Sequence, residues 1–218
     1  DGLFQILRNR KYHLAGPTLR DGAIVIDYIH SSDDLPAGWS DRQEPARYRT
    51  VRRSDSALFA YAAPARGWKQ FLLRPSERLL VAETTAKGLR FTAEKDSTPR
   101  LAIIGITACD LAAASLFDRA FHGNGTTEGG RKSPGKSPFV VALRCSQPAS
   151  TCFCGSFAQI HQVSERCDLA MTELMAGEHR FLFEVFTKAG ADILKEAGAR
   201  PPACLDTNEA RAVWDGAK

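Results

Sequence analysis

Leu101-Ala102-Ile103-Ile104-Gly105-Ile106-Thr107-Ala108-Cys109-Asp110 and, further along, Phe139-Val140-Val141-Ala142-Leu143-Arg144-Cys145-Ser146 are the two stretches that decide the fold. Each opens with an apolar run of the length of a buried strand and closes on a cysteine. Leu111–Phe121, between them, reads as a helix. A strand, a helix and a second strand in that order predict a right-handed crossover joining two parallel strands. Both cysteine loops then leave the same carboxyl edge of one sheet, where open α/β sheets place their ligands. Cys152-Phe153-Cys154 follows close behind the second loop.

Four convergent thiols point to a metal centre. Thiolate is a soft ligand that suits iron–sulfur clusters or zinc. Cys109 is expected near the N-terminus of the helix beginning at Leu111, where the helix dipole favours a thiolate. Cys152 and Cys154 can serve one centre only if their loop is curved, which Ser150-Thr151 and Gly155 permit. Phe153 would flank them as an apolar shield or a core aromatic. A four-thiolate zinc site, a pair of disulfides and unconnected buried thiols compete with a cluster on spacing alone. Asp110 either caps the following helix or replaces a cysteine as ligand. Cys167 reads as a core residue and Cys204 lies outside the site. His122, His161 and His179 lack ligand-like spacing.

The 218 residues are 44% hydrophobic and 25% charged, with a net charge of +4, which is ordinary for a soluble protein with a real core. The mild, scattered charge argues against nucleic acid as a partner. No apolar run approaches the ~20 residues that cross a bilayer. No charged leader precedes an apolar stretch, so no membrane insertion and a cytoplasmic location are expected. Six cysteines in such a chain favour metal or redox chemistry over a disulfide framework.

The pattern predicts an α+β protein with a β-rich part over 1–98, a small α/β part with parallel strands carrying the cysteine loops over 99–200, and a linker over 201–218. In the first part, Tyr12–Thr18 and Ala23–Tyr28 form a hairpin around Arg20-Asp21-Gly22. Ser31–Pro45 reads as a loop, Tyr48–Arg52 and Ala57–Ala62 as a strand pair, and Trp68–Leu73 as a short amphipathic element. Arg78–Thr84 and Leu89–Ala93 read as another hairpin. In the second part, Asp168–Met175 reads as a helical turn or short helix, Arg180–Phe186 as a strand, and Ala189–Ala197 as a helix ended by Gly198. Asn208–Trp214 starts a further helix. Gly130–Ser137 matches the phosphate-loop pattern. A glycine-rich coil precedes it, and Pro138 and a strand follow, so it lacks the helix N-terminus that holds phosphate.

Gly105-Ile106-Thr107-Ala108-Cys109-Asp110-Leu111-Ala112-Ala113 and Asp118-Arg119-Ala120-Phe121 resemble the Cys-Asp segment of a redox family. Thr151-Cys152-Phe153-Cys154-Gly155-Ser156 resembles its Thr-Cys-Phe-Cys motif, and Asp168–Leu174, Gly16-Pro17-Thr18, Leu35–Trp39 and Trp68–Leu72 match in order. The family comprises the iron–sulfur beta subunit of NADP-linked sulfhydrogenases and the corresponding iron–sulfur subunit of anaerobic sulfite reductase. The resemblance is to its N-terminal region, without the C-terminal ferredoxin domain. The family has Arg-Pro where this chain has Thr107-Ala108, and a Gly-rich run where this chain has Phe157–His161. The resemblance implies a 4Fe-4S cluster on Cys109, Cys145, Cys152 and Cys154. It also implies an electron-transfer role, with a flavin/NAD(P)-binding diaphorase subunit on one side of the relay. On the other side stands a catalytic hydrogenase, sulfur- or sulfite-reducing subunit. The alternative from another class is a zinc-stabilised interaction module without a redox role.

Overall fold

The computed structural model describes residues 2–62, 64–72, 78, 80–86, 88–93, 99–122, 137–156 and 166–217. The protein is mixed α+β. Its centre is a six-stranded sheet in the order β10-β9-β8-β7-β1-β2. The strands are β1 (Tyr12–Arg20), β2 (Ala23–Ile29), β7 (Arg100–Thr107), β8 (Phe139–Leu143), β9 (Leu169–Leu174) and β10 (Arg180–Val185). Strands β1, β7, β8 and β9 run parallel, with antiparallel β2 and β10 at the edges. The β-rich and α/β stretches of the sequence thus share one sheet. Two small hairpins have ladders of their own: β3 (Trp39–Glu44) with β4 (Arg47–Arg52), whose Tyr48 and Thr50 hydroxyls bond β2 and its turn, and β5 (Leu80–Thr85) with β6 (Gly88–Ala93).

The apolar run of β7 buries both of its faces. Ala102 and Ile104 join one core cluster, and Ile103 and Ile106 the other. Strict alternation would put Ile106 with Ile104. The register against β8 instead slips between Ile104 and Ile106. Gly105 absorbs the extra residue at φ +86°, a conformation open to glycine. This bulge turns Ile106 to the side of α3 (Ala108–His122), whose Leu111 packs with it. The opposite face is covered by α1 (Gly2–Asn9), through Phe4, Ile6 and Leu7, and by α4 (Lys188–Glu196), through Ile193. Thr187 caps α4 by accepting from the Gly190 amide, and Gly198 follows its end at φ +69°.

Several elements differ from the sequence expectation. Helix α1 falls in a stretch where no helix is expected. Within the stretch expected to be a loop, β3 runs from Trp39 to Glu44, pairing with β4. Residues 57–62 form no strand, because their amides go to carboxylates: Leu58 and Phe59 donate to Glu173, and Ala62 to Asp41. Asp168–Met175 has a helical expectation, yet Leu169–Leu174 is strand β9, buried along its whole length. Its Ala, Met, Glu and Leu are helix formers, and burial between β8 and β10 overrides that preference. The stretch expected to be a linker holds helix α5 (Cys204–Gly216), which starts ahead of Asn208. Trp214 Nε1 donates to the buried Thr172 hydroxyl at 2.9 Å, and Arg180 bridges Asp206 and Glu209, so α5 is fastened to β9 and β10. Trp68 is followed by the short helix α2 (Lys69–Leu72). The phosphate-loop match falls at 130–136 outside the described residues, and a strand begins at Phe139, directly after Pro138. Phe157–His161 also lies outside them.

Candidate metal centre

Because β7 and β8 are parallel, Cys109 and Cys145 leave the same end of the sheet. Helix α3 begins at Ala108, earlier than expected, so Cys109 sits within its first turn rather than before it. The cysteine is exposed as a residue, yet protein packed around its sulfur pushes the thiol up from its ordinary value. Thr107 opposes this, lying 3.0 Å from Cys109 Sγ. The same hydroxyl donates to Asp110 Oδ2 at 3.1 Å. Thr107 has one proton, so when that proton serves Asp110, the Cys109 S–H is the donor to Thr107. Burial raises the Asp110 carboxyl, and the Thr107 bond opposes it. Asp110 thus lies inside the first turn of α3 and is held by Thr107.

Cys145 follows β8 and is half-buried. Burial, then the neighbouring Cys152, Cys109 and Cys154, push its thiol up to about 11, while the donating Gln147 amide pulls the other way. Cys152 is held by a tight turn: its own amide donates to Ala149 O at 3.0 Å, and the Ala149 amide donates to Cys152 Sγ at 3.2 Å. Cys154 opens a 3-10 turn, Cys154–Ser156, so the loop has the curvature that paired ligands need. Phe153 between them is 71% exposed, so it stands at the surface and not in the core.

Of the four thiols, Cys145 feels the other three, and Cys109 feels Cys154. Three of the four sulfurs also receive a backbone amide, from Asp110, Gln147 and Ala149. Arg144 is the next residue to Cys145, but its guanidinium is paired with Glu184 and stacked 4.6 Å from the Trp214 ring.

Neighbouring elements brace this loop. Ser150 Oγ donates to Gln43 O at 2.8 Å, and the Gln43 side chain is bonded to Asp41. Asp41 also holds the Ala62 amide at 2.7 Å. Glu173, buried on β9, accepts from the Leu58 and Phe59 amides at 2.6 and 2.9 Å and lies 2.8 Å from His179 Nε2. Tyr61 is fixed between these two anchors. Sequence reading misses Asp41, Tyr61 and Glu173: Tyr61 hides in an apolar run, and Glu173 in a segment with helix-forming composition.

Cys167 is buried at 4% exposure in the core cluster with Ile106 and Val140, and Cys204 is exposed at the start of α5. His179 is engaged with Glu173. Among the described residues, no three His, Cys, Asp or Glu side chains are drawn together to hold a metal ion. The donor chemistry nonetheless fits a soft cationic group carried by thiolates, and a four-iron cube takes one thiolate at each of four irons rather than four at one ion. No helix among the described residues is long and apolar enough to cross a membrane. No family model, no curated protein and no solved structure matches the chain.

Proposed function

We propose that this chain is an iron–sulfur electron-transfer subunit. Cys109, Cys145, Cys152 and Cys154 would hold a 4Fe-4S cluster, and the chain would relay electrons in the cytoplasm. One partner would be a flavin/NAD(P)-binding diaphorase subunit. The other would be a catalytic hydrogenase, sulfur- or sulfite-reducing subunit. The observation that carries this reading is that Cys109 and Cys145 leave the same end of two parallel strands, with Cys152 and Cys154 in the turn that follows. Apposed thiolates repel one another, so a pocket of this kind favours a positive group at its centre.

When bound, the cluster supplies one-electron exchange. The chain's own residues do the rest. The amides of Asp110, Gln147 and Ala149 donate to sulfur and favour its anionic form. The N-terminus of α3 adds its positive dipole end at Cys109. Phe153 screens the Cys152–Cys154 turn at the surface, where a partner would dock.

Anaerobic purification with iron, acid-labile sulfide and zinc analysis tests the reading. Iron and sulfide near four atoms each per chain are expected. Zinc in place of iron would establish the structural-module alternative. In the assembled complex, NAD(P)H should reduce the cluster through the flavin subunit. Cys154→Ser should abolish that reduction and leave flavin reduction intact.

A further inference from the structure

In the β3–β4 hairpin the register sets Arg42 across from Arg49 and Glu44 across from Arg47. Side chains alternate along a strand, so these four share one face, and all four are exposed. The other face is turned to the protein: Asp41 accepts from the Ala62 amide, the Tyr48 hydroxyl accepts from the Ile24 amide, and Thr50 donates to Gly22 O. Arg42 and Arg49 are thus like charges directly opposite one another, an unfavourable pairing in a ladder. Elsewhere the chain matches arginines to carboxylates, Arg10 to Glu196, Arg53 to Asp55 and Arg144 to Glu184. Among the described residues, no ion pair or hydrogen bond engages the guanidinium of Arg42 or Arg49. The hairpin that carries them is fixed from two sides. Tyr48 and Thr50 bond β2 and its turn, while Ser40 donates to Gln147 Oε1 at 3.4 Å and Ser150 to Gln43 O at 2.8 Å. The two cations are therefore preorganised for a ligand.

We propose that the Arg42–Arg49 face of this hairpin is a docking surface for an acidic segment of a protein partner, whose carboxylates lie across the two guanidiniums. An arginine fork matches a carboxylate in shape as well as in charge, and an anion between two cations relieves their repulsion. Nucleic acid fits the face less well. Single strands stack their bases on aromatic rings beside the cations. The aromatics of the hairpin, Trp39 and Tyr48, fall on the opposite face, and Glu44 repels phosphate. The surface is independent of the cysteine site and holds whether or not a cluster is bound.

The test is fluorescence anisotropy of a labelled oligoglutamate peptide titrated with the full chain at low ionic strength. Saturable binding that weakens with added salt is expected. Arg42→Glu combined with Arg49→Glu should weaken it about tenfold or more. Arg200→Glu combined with Arg211→Glu, at exposed positions outside the hairpin, changes the net charge equally and should leave binding within about twofold. Equal losses from the two pairs would mean bulk charge alone and would overturn the proposal, as would a wild-type chain that does not bind the peptide. Should the double reversal fail to fold, Arg42→Gln with Arg49→Gln, which only removes the charges, is read in the same way. Tighter binding of wild type to a single-stranded oligonucleotide, lost in the hairpin variant, would assign the face to nucleic acid and overturn the proposal. A wild-type dimer in sedimentation equilibrium that the hairpin variant splits would assign it to a second copy of the chain and overturn it too.

Discussion

The cysteines differ in environment as much as in sequence context. Cys204 is exposed at the head of α5, whereas Cys167 is buried among Ile106, Val140 and Ala170 of the same core cluster. A thiol reagent applied to the native protein should therefore label Cys204 rapidly and leave Cys167 unlabelled, as peptide mapping by mass spectrometry would read. Burial and the adjacent Asp168 push the Cys167 thiol up to about 11. The unfolded chain has its thiols near ~8.5. Between those values the unfolded state gives up the proton first, so the stability this thiol contributes is complete below ~8.5 and is lost as pH rises toward about 11. Thermal melts across that range should show a steeper fall for wild type than for Cys167→Ala. Equal slopes would mean that this thiol does not titrate with unfolding.

At the scale of elements, much of the fold is legible in the sequence, and the departures have physical causes. Strands β7 and β8 are long apolar runs, and the β1–β2 hairpin carries its own turn at Asp21-Gly22, so local pattern suffices. Strand β9 escapes such a reading because its burial comes from neighbours on both sides, which composition does not encode. Residues 57–62 escape it because their hydrogen-bond partners are carboxylates distant in sequence. That Cys109 and Cys145 leave one end of the sheet is legible, while the carboxylates that clamp residues 57–62 are not. Glu173→Ala leaves two amides without their acceptor, one of them buried at Phe59, and should cost roughly 3 kcal/mol in denaturant titration. Glu173→Gln keeps one amide-accepting oxygen and should cost less. A Glu173→Ala chain as stable as wild type would show that the clamp is not needed for folding. Gly105 makes the second test. A Cβ there would stand 2.9 Å from Phe59 Cε1, on a backbone at φ +86°. Gly105→Ala should lose about 1–3 kcal/mol. It should also disturb Cys109 reactivity, since the bulge sets the start of α3.

The whole molecule is organised around the middle of its sheet. Strands β7, β8 and β9 are flanked by other strands, and their described side chains are buried almost throughout. The β3–β4 and β5–β6 hairpins lie outside that sheet, and the described residues of β5 and β6 are nearly all exposed. Native-state hydrogen exchange should therefore find the slowest amides in β8 and β9, opening only with global unfolding, and the fastest strand amides in β5 and β6. Equal protection in β5–β6 and β8 would contradict this ordering.

The proposed cysteine site and the hydrogen bonds that brace its surroundings draw on stretches that begin at Trp39 and end at Glu173: the β3 strand with Asp41, the clamped segment 57–62, the head of α3, the loop after β8, and the carboxylate on β9. No short contiguous peptide contains them. During synthesis, Cys109 through Cys154 emerge from the ribosome before the residue that fixes Tyr61 does. For that interval the thiols are an unshaped set, open to oxidation or to scavenging of stray metal. On the proposed iron–sulfur reading, the order of residues along the chain would make cluster delivery a late event of biogenesis, coupled to completion of the sheet and not to the appearance of the cysteines.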